Sequence, residues 1–126
     1  MQTLEYKKSD AASAAMIARV VERLRVMADE QRIRLLLRLK KGRATVTELS
    51  EDLEIAQPSV SKHLLQLRQV GLVQVERVGV SAFYSIKDQT IFDLCAIVCA
   101  GVTEFAREQH AALGLDLPAT TKRGSK

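Results

Sequence analysis

The sequence predicts a mainly α-helical domain with five helices and one small β-hairpin, which precedes the last helix. Three observations carry this prediction. Apolar residues recur at helical spacing in five segments, their period changes to two between Leu72 and Ile86, and glycines follow the expected helix ends. A chain of 126 residues has the length of one compact domain, and 47% hydrophobic residues are enough for a core without disulfides.

The first two helices are predicted from their apolar stripes. Residues 11–27 form the first helix, and its stripe comprises Met16, Ile17, Val20, Val21, Leu24 and Met27. Asp29 is placed to cap the second helix, because its carboxylate can accept a hydrogen bond from a free N–H of the first turn. Gly42 is placed to end that helix. The apolar side of the second helix comprises Ile33, Leu36 and Leu37.

A short third helix and a longer fourth helix follow. Thr47 is predicted to cap the third helix, whose first turn is acidic. Glu48 stands one residue away from the position that a capping box with Thr47 would need, so a simple cap is expected. Pro58 fits the first turn of the fourth helix, since its missing N–H would be unpaired there, and Gly71 closes that helix. Its buried stripe comprises Val60, Leu64 and Leu67.

The hairpin and the last helix complete the domain. From Leu72 the apolar residues alternate with polar ones on either side of Gly79, which predicts two strands joined by a tight turn. The last helix is expected from about 88 to 113, with Gly114 as its stop signal. Its apolar stripe comprises Ile91, Leu94, Cys95, Val98, Val102 and Phe105.

The composition limits the classes of function. Residues 1–10 and 115–126 are mostly polar, so we expect a flexible N-terminus and a flexible basic tail around one domain at 11–114. No stretch approaches the roughly 18 consecutive apolar residues of a membrane span, and two cysteines fit a protein of the reducing cytoplasm. No motif of a nucleophile with its base or of a phosphate-binding loop is present, so we expect no enzymatic activity.

A short helix, a tight connection, a second helix and then a hairpin form the arrangement of a winged helix-turn-helix. In such folds the second helix of the motif, here called the reading helix, enters the DNA major groove, and the hairpin lies over the backbone or minor groove. The outward side chains near its start are Gln57, Ser59, Ser61 and Lys62. These groups can reach base edges or phosphates, whereas a merely solvated helix face is the alternative interpretation.

Basic residues cluster around this motif, within a net charge of +4. Residues 32–43 contain six cations and no acid, and residues 57–87 contain four cations and one acid. We place Arg77, beside the turn of the hairpin, on a phosphate or in the minor groove, and a plain surface arginine is the alternative. Arg43 and Thr47 complete the candidate contacts to double-stranded DNA.

Several segments, in this order and spacing, resemble the ArsR/SmtB-type bacterial repressors. They are residues 27–36, 46–53, 57–64, 67–73 and 83–86. The resemblance covers roughly residues 20–105. It implies a homodimer whose first and last helices form the interface, a pseudo-palindromic operator as DNA partner, and an inducer that lowers DNA affinity.

The resemblance also implies where metals would bind in this family, and neither well-known site is complete here. Thr45 and Thr47 stand where metal-sensing members carry a cysteine pair at the third helix. On the last helix Asp88 and Glu104 match two acidic ligands, but Thr90 and Gly101 replace the histidines. Carboxylates without imidazole or thiolate make a poor transition-metal site, so the sequence supports no confident metal ligand.

Cys95 and Cys99 are the remaining candidates for a sensor. Their i, i+4 spacing on the last helix places both sulfurs on one side, where they can share a soft metalloid or metal ion, or react with an oxidant. Small buried hydrophobic residues are the competing interpretation, because free cysteines commonly have that role. A further ligand from the second protomer or another residue would be needed for a complete zinc site.

Two alternatives remain beside an inducible repressor. The domain can be a winged-helix module that binds another protein, and a steep dependence of DNA affinity on salt separates the two functions. It can also be a repressor without any cysteine-based sensing. His63, beside Val60 and Leu67, is predicted as a partly buried packing or hydrogen-bonding residue.

Overall fold

The computed structural model describes residues 13–114, so the flexible ends predicted at 1–10 and 115–126 lie outside the described residues. Within that range it confirms five helices and one antiparallel hairpin in the predicted order. The elements are α1 (Ala14–Met27), α2 (Glu30–Lys40), α3 (Val46–Leu53), α4 (Gln57–Gln69), β1 (Val73–Val78), β2 (Ser81–Ile86) and α5 (Thr90–Ala112). The chain divides into two compact units between residues 88 and 89, and α5 is described by itself below.

The core of the first unit is formed where α2, α3 and α4 contact one another and the hairpin. Its fully or nearly fully buried side chains include Leu35, Leu36, Leu39, Leu49, Ile55, Val60, Leu64, Leu67, Leu72 and Val73. The predicted stripe of α4 is therefore confirmed.

The predicted stripe of α2 is partly wrong. Leu35 and Leu39 are buried beside Leu36, whereas Leu37 is 47% exposed. Leu35, Leu36 and Leu39 follow the i, i+1, i+4 spacing of one helix face, and Leu37 points to the roughly opposite face.

The start of α3 also differs from the prediction. The N-cap is Thr45, not Thr47. The Thr45 hydroxyl accepts a hydrogen bond from the Glu48 backbone N–H at 3.2 Å, and the Glu48 carboxylate accepts one from the Thr45 backbone N–H at 2.9 Å. This is a complete capping box, which satisfies two donors that the first turn would otherwise leave free.

The end of α4 and the start of the hairpin are fixed by a glycine. Gly71 has a φ of +79°, which favours glycine because other residues lack space for their Cβ in this conformation. The Leu72 N–H donates to the Leu67 carbonyl and the Gly71 N–H to the Arg68 carbonyl, both at 3.0 Å. These two bonds form a Schellman motif, so α4 ends abruptly and the chain turns directly into β1.

The helix α1 keeps most of its apolar stripe exposed. Ser13 caps its start, accepting from the Met16 N–H at 3.1 Å. The helix therefore begins later than the predicted residue 11. Met27 is buried, but the other stripe residues, Met16, Ile17, Val20, Val21 and Leu24, are 40–52% exposed.

The helix α5 begins at Thr90, two residues later than predicted, and ends at Ala112 before Gly114, which has a φ of +77°. Ile97, Val98, Val102 and Phe105 are 54–65% exposed along it. In residues 13–114, none of the helices combines the length and the apolar character that a membrane crossing requires.

Candidate nucleic-acid interface

The turn between α3 and α4 holds the two helices of the motif in a fixed arrangement. Glu54 adopts the left-handed conformation at φ 56° and ends α3. The Ser50 hydroxyl donates to the Ile55 carbonyl at 2.6 Å, and the Ile55 side chain is buried. Pro58 occupies the first turn of α4, as predicted, where the absence of its N–H costs no hydrogen bond. The start of the reading helix is therefore well defined.

The reading helix has one buried and one exposed side. Val60, Leu64 and Leu67 are completely buried, while Gln57, Ser61 and Lys62 are exposed near the helix start. The Gln57 amide donates to the Thr47 hydroxyl at 3.5 Å, so these two candidate residues lie together at the junction of α3 and α4. The exposed side presents an amide, a hydroxyl and one ammonium, which are groups that read base edges and phosphates.

Ser59 is not on this exposed side as predicted, because it is partly buried against α2. Its hydroxyl donates to the Gln31 side-chain oxygen at 3.2 Å. The same oxygen lies 2.9 Å from Nε2 of His63. Gln31 thus fixes two residues of the reading helix to α2, and His63 is the partly buried, hydrogen-bonded residue that the sequence predicts.

Arg32 ties the reading helix to two other helices. Its guanidinium donates to the Val26 carbonyl of α1 and to the side-chain oxygen of Gln66 in α4, and lies 3.2 Å from Nδ1 of His63. A guanidinium is only a donor, so Nδ1 accepts, and Nε2 carries the proton that His63 donates to Gln31. The Arg32 backbone N–H also donates to the Asp29 carboxylate, which lowers the pKa of this helix cap.

Gln31 and Arg32 were not predicted as site residues, although the sequence contains a signal for them. They stand four residues before Leu35 and Leu36, so they extend the buried stripe of α2 toward its first turn. Polar side chains in line with a buried stripe indicate hydrogen bonds to a neighbouring helix.

The hairpin forms the wing. Residues 73–78 pair with residues 81–86, and Gly79 and Val80 form its two-residue turn. Arg77 is exposed opposite Ala82, next to this turn, and makes no ion pair within the described residues 13–114. Val80 is completely exposed. The tip of the wing is therefore apolar, and its cation lies two residues before the turn.

Arg43 lies against the middle of the wing, where Glu76 pairs with Phe83. Its guanidinium carbon stands 4.2 Å from the centroid of the Phe83 ring, and Nη1 is 3.6 Å from the Glu76 carboxylate. The adjacent Ala44 exchanges two backbone hydrogen bonds with Tyr84, at 3.0 and 2.8 Å. Arg43 thus remains half exposed but is held by the strands.

The basic run at 32–43 is less available to DNA than its charge suggests. The Arg34 guanidinium donates to the Leu53 carbonyl at 3.1 Å. Arg38 donates to the Asp52 carboxylate at 2.9 Å and to the Gly42 carbonyl at 3.1 Å. Like Arg32, these side chains connect helices of the domain. The charge pattern that suggested nucleic acid therefore comes partly from structural arginines.

The two cysteines of α5 are both free thiols, with Cys95 partly buried and Cys99 exposed. Cys99 is therefore not buried within the single chain. In the described part of the chain, no three histidine, cysteine or acidic side chains gather in a cluster suited to a metal ion.

Comparison with known proteins identifies the family. Residues 29–75 match the sequence profile of the family described as "Bacterial regulatory protein, arsR family". The regulator KmtR of Mycobacterium tuberculosis is 37% identical over 75 residues, which are 60% of this chain and 58% of KmtR. The transcriptional activator HlyU of Vibrio cholerae is 35% identical over 74 residues, 59% of this chain and 68% of HlyU. The chain belongs to the arsR family.

Solved structures show the fold shared within the arsR family. HlyU of Vibrio cholerae superposes with a TM-score of 0.60 at 30% identity, over 68% of this chain and 94% of HlyU. A protein of Mycobacterium bovis, Mb0332, described as a homodimeric winged helix-turn-helix DNA-binding domain, superposes with a TM-score of 0.67. Its identity is 24%, over 80% of this chain and 96% of that one, so this likeness shows the fold alone. The predicted winged helix-turn-helix is confirmed.

Proposed function

We propose that this arsR-family chain is a homodimeric repressor whose reading helix binds the major groove of a pseudo-palindromic operator. One observation carries the proposal. Val60, Leu64 and Leu67 are completely buried, while Gln57 and Lys62, in the same helix, are exposed. A helix held rigidly by its inner side can present the outer side to base edges in one orientation, which is what sequence-specific reading requires.

The dimer is supported by apolar side chains that one protomer leaves uncovered. On α1, Ile17, Val21 and Leu24 are 40–52% exposed, and four apolar residues of α5, from Ile97 to Phe105, are 54–65% exposed. Exposed apolar stripes of this kind commonly mark an interface. Two protomers related by a two-fold axis would place their reading helices in major grooves about 34–36 Å apart, one turn of DNA.

The wing supplies the contact to the DNA backbone. Arg77 is exposed and makes no ion pair within residues 13–114, so its guanidinium is available for a phosphate or for the minor groove. Arg43 would contribute from beside the middle of the wing, where Glu76 and Phe83 hold its guanidinium in place.

The test measures the affinity of the purified, reduced chain for duplexes from its own promoter and for random duplexes. Fluorescence anisotropy reports binding over a range of salt concentrations. Lys62→Ala and Gln57→Ala should each lower the preference for the promoter, by about 1–3 kcal/mol where a bidentate base contact is lost. Arg77→Ala should weaken both duplexes nearly equally and reduce the salt slope. Arg25→Ala, an exposed arginine of α1, is the matched control and should change neither.

Two results would contradict the proposal. Equal affinity for promoter and random duplexes in the wild type, together with no salt dependence, would favour a protein-interaction module. Increased transcription from the bound promoter would make the protein an activator, the activity for which HlyU is named. Deletion of the gene should instead raise transcription from that promoter.

For the inducer, we propose a thiol-directed signal at Cys95 and Cys99. The two sulfurs stand one turn apart on α5, and the Cys99 side chain is exposed in the single chain. Arsenite, zinc, a sulfide donor and peroxide should be added one at a time to the protein bound to its operator. At least one should release the wild type, and the Cys95→Ser and Cys99→Ser double variant should stay bound. Equal release of both proteins would overturn a cysteine-based switch without affecting DNA binding.

A further inference from the structure

A groove of about 600 Å³ lies between α1 and the end of the reading helix, entirely within the first unit. Its walls come from the side chains of α1, from the α4–β1 turn and from Lys87, which follows β2. This volume is in the range of sites that hold small ligands, about 300–1,000 Å³. The groove is on a different part of the first unit from the exposed start of the reading helix.

The charges around the groove are unbalanced. Four cations line it, and one of them, Arg23, is neutralised by an ion pair with Asp88. Arg19, Arg68 and Lys87 are exposed and make no ion pair inside the part of the chain that the structure describes. Within residues 13–114, Glu22 is the one acid that lines the groove. Three cations against one carboxylate favour an anionic occupant, which would lower their mutual repulsion.

Apolar side chains of α1 lie beside these cations in the groove. Met16 and Val20 are 50% and 48% exposed, and both line the groove beside Val70. They lie at the edge of the α1 stripe nearest to Arg19 and Arg23, whereas Ile17 and Leu24, further round the helix, do not line it. A partner helix can therefore cover the centre of the stripe while the groove remains at its flank.

We propose that this groove binds a small organic anion with an apolar segment, such as a short aliphatic carboxylate. The carboxylate would lie among Arg19, Arg68 and Lys87, and the hydrocarbon segment against Met16 and Val20. Exposed cations alone would select inorganic anions as readily, and apolar side chains alone would select neutral hydrocarbons. The combination of cations and apolar side chains in one groove selects an amphiphilic anion.

An occupant of the groove would contact the C-terminal end of the reading helix. Val70 and Gly71 line the groove, and the Arg23 guanidinium donates to the Val70 carbonyl. A ligand would thus bridge α1 and α4, and it would change operator affinity if the two bound states of the protein differ at this junction. This consequence rests on the proposed function, whereas binding itself does not.

Calorimetric titration of the full chain with sodium hexanoate, without DNA and at constant ionic strength, tests the site. Hexanoate should saturate one site per chain, and acetate, inorganic phosphate, 1-hexanol and hexylammonium should bind at least tenfold more weakly. Arg68→Ala combined with Lys87→Ala should lower hexanoate affinity about tenfold, since two partly screened ion pairs are lost. Arg25→Ala combined with Lys41→Ala removes the same charge at exposed positions outside the groove and should leave hexanoate binding unchanged.

Several results would overturn the site. Equal binding of hexanoate and 1-hexanol would indicate a plain apolar patch, and equal binding of hexanoate and phosphate a plain anion site. Hexanoate affinity unaffected by the Arg68 and Lys87 changes would place binding elsewhere, and displacement by random duplex would assign the groove to the DNA backbone. A parallel operator titration tests the consequence separately: hexanoate that binds without changing operator affinity would overturn only the link to DNA.

Discussion

Replacing Gly71 with alanine is expected to destabilise the protein in two separable ways. Gly71 is the left-handed residue that ends α4, and placing a non-glycine residue in this conformation costs about 1–2 kcal/mol. An added Cβ would also lie 3.1 Å from Nη2 of Arg23, tighter than ordinary van der Waals contact. The guanidinium would have to move, although it is held by the Val70 carbonyl and by Asp88.

The second contribution is the smaller one. The Arg23 side chain is 40% exposed, so solvent screens its ion pair, and displacing it should cost about 0.5–1 kcal/mol. Gly71→Ala is therefore expected to lower the free energy of unfolding by about 1.5–3 kcal/mol in total. Most single substitutions cost less than this.

Chemical denaturation at one fixed protein concentration measures this effect, and a double-mutant cycle separates the two parts. In an Arg23→Ala background, Gly71→Ala should cost only the conformational part of the free energy, about 1–2 kcal/mol. Gly114→Ala is a second control, because Gly114 has a similar φ of +77° and no atom within 4 Å of an added Cβ. An identical cost of Gly71→Ala with and without Arg23 would refute the proposed contact.

Three further changes test the fold and its electrostatics. Thr45→Ala should cost about 1 kcal/mol by removing the capping box, whereas Thr47→Ala should stay within about 0.5 kcal/mol in the same denaturation assay. Leu64→Ala should cost about 2–5 kcal/mol by opening a cavity in the core, and the adjacent Leu65→Ala, at a position 52% exposed, should be nearly neutral. The lowered pKa of Asp29 stabilises the fold at higher pH, and this contribution is lost as the pH falls below about 3.9 and through the folded pKa. Asp29→Asn keeps a capping oxygen but should lack that part of the acid sensitivity, and equal acid unfolding curves would contradict the assignment.

The sequence was sufficient for elements that local rules define. Pro58 at the start of α4, its three buried aliphatic residues and Gly71 at its end are all positioned by short-range chemistry. The alternation around Gly79 likewise depends on residues within one hairpin. Such signals can be read without knowing what the segment packs against.

Other features depend on tertiary contacts that no local pattern contains. Thr45 and Thr47 are both good caps, and Thr45 is selected where the preceding Ala44 pairs with Tyr84 of the wing. In α2 several apolar residues occupy neighbouring positions, so packing against α3 and α4 decides that Leu39 is buried and Leu37 is not.

The polar part of the site was the hardest to predict. Ser59 is of a residue type that can contact base edges, but its hydroxyl donates a hydrogen bond to Gln31. Arg32 belongs to a basic run typical of nucleic-acid binding, yet its guanidinium is occupied by α1 and α4. Residue type alone does not distinguish an arginine that binds phosphate from one that binds a neighbouring carbonyl.

In the proposed dimer, the half-exposed side chains of α1 would link the stability of this protein to its abundance. A second copy that covers Ile17, Val21 and Leu24 in the folded state would add to stability by mass action, so the thermal midpoint should rise with protein concentration. Dilution would then promote unfolding and would also expose the apolar side chains of α1. If a cell made less of the protein, the amount of folded protein would fall more steeply than the total amount. The occupancy of any site that requires two copies would fall with roughly the square of the protomer concentration.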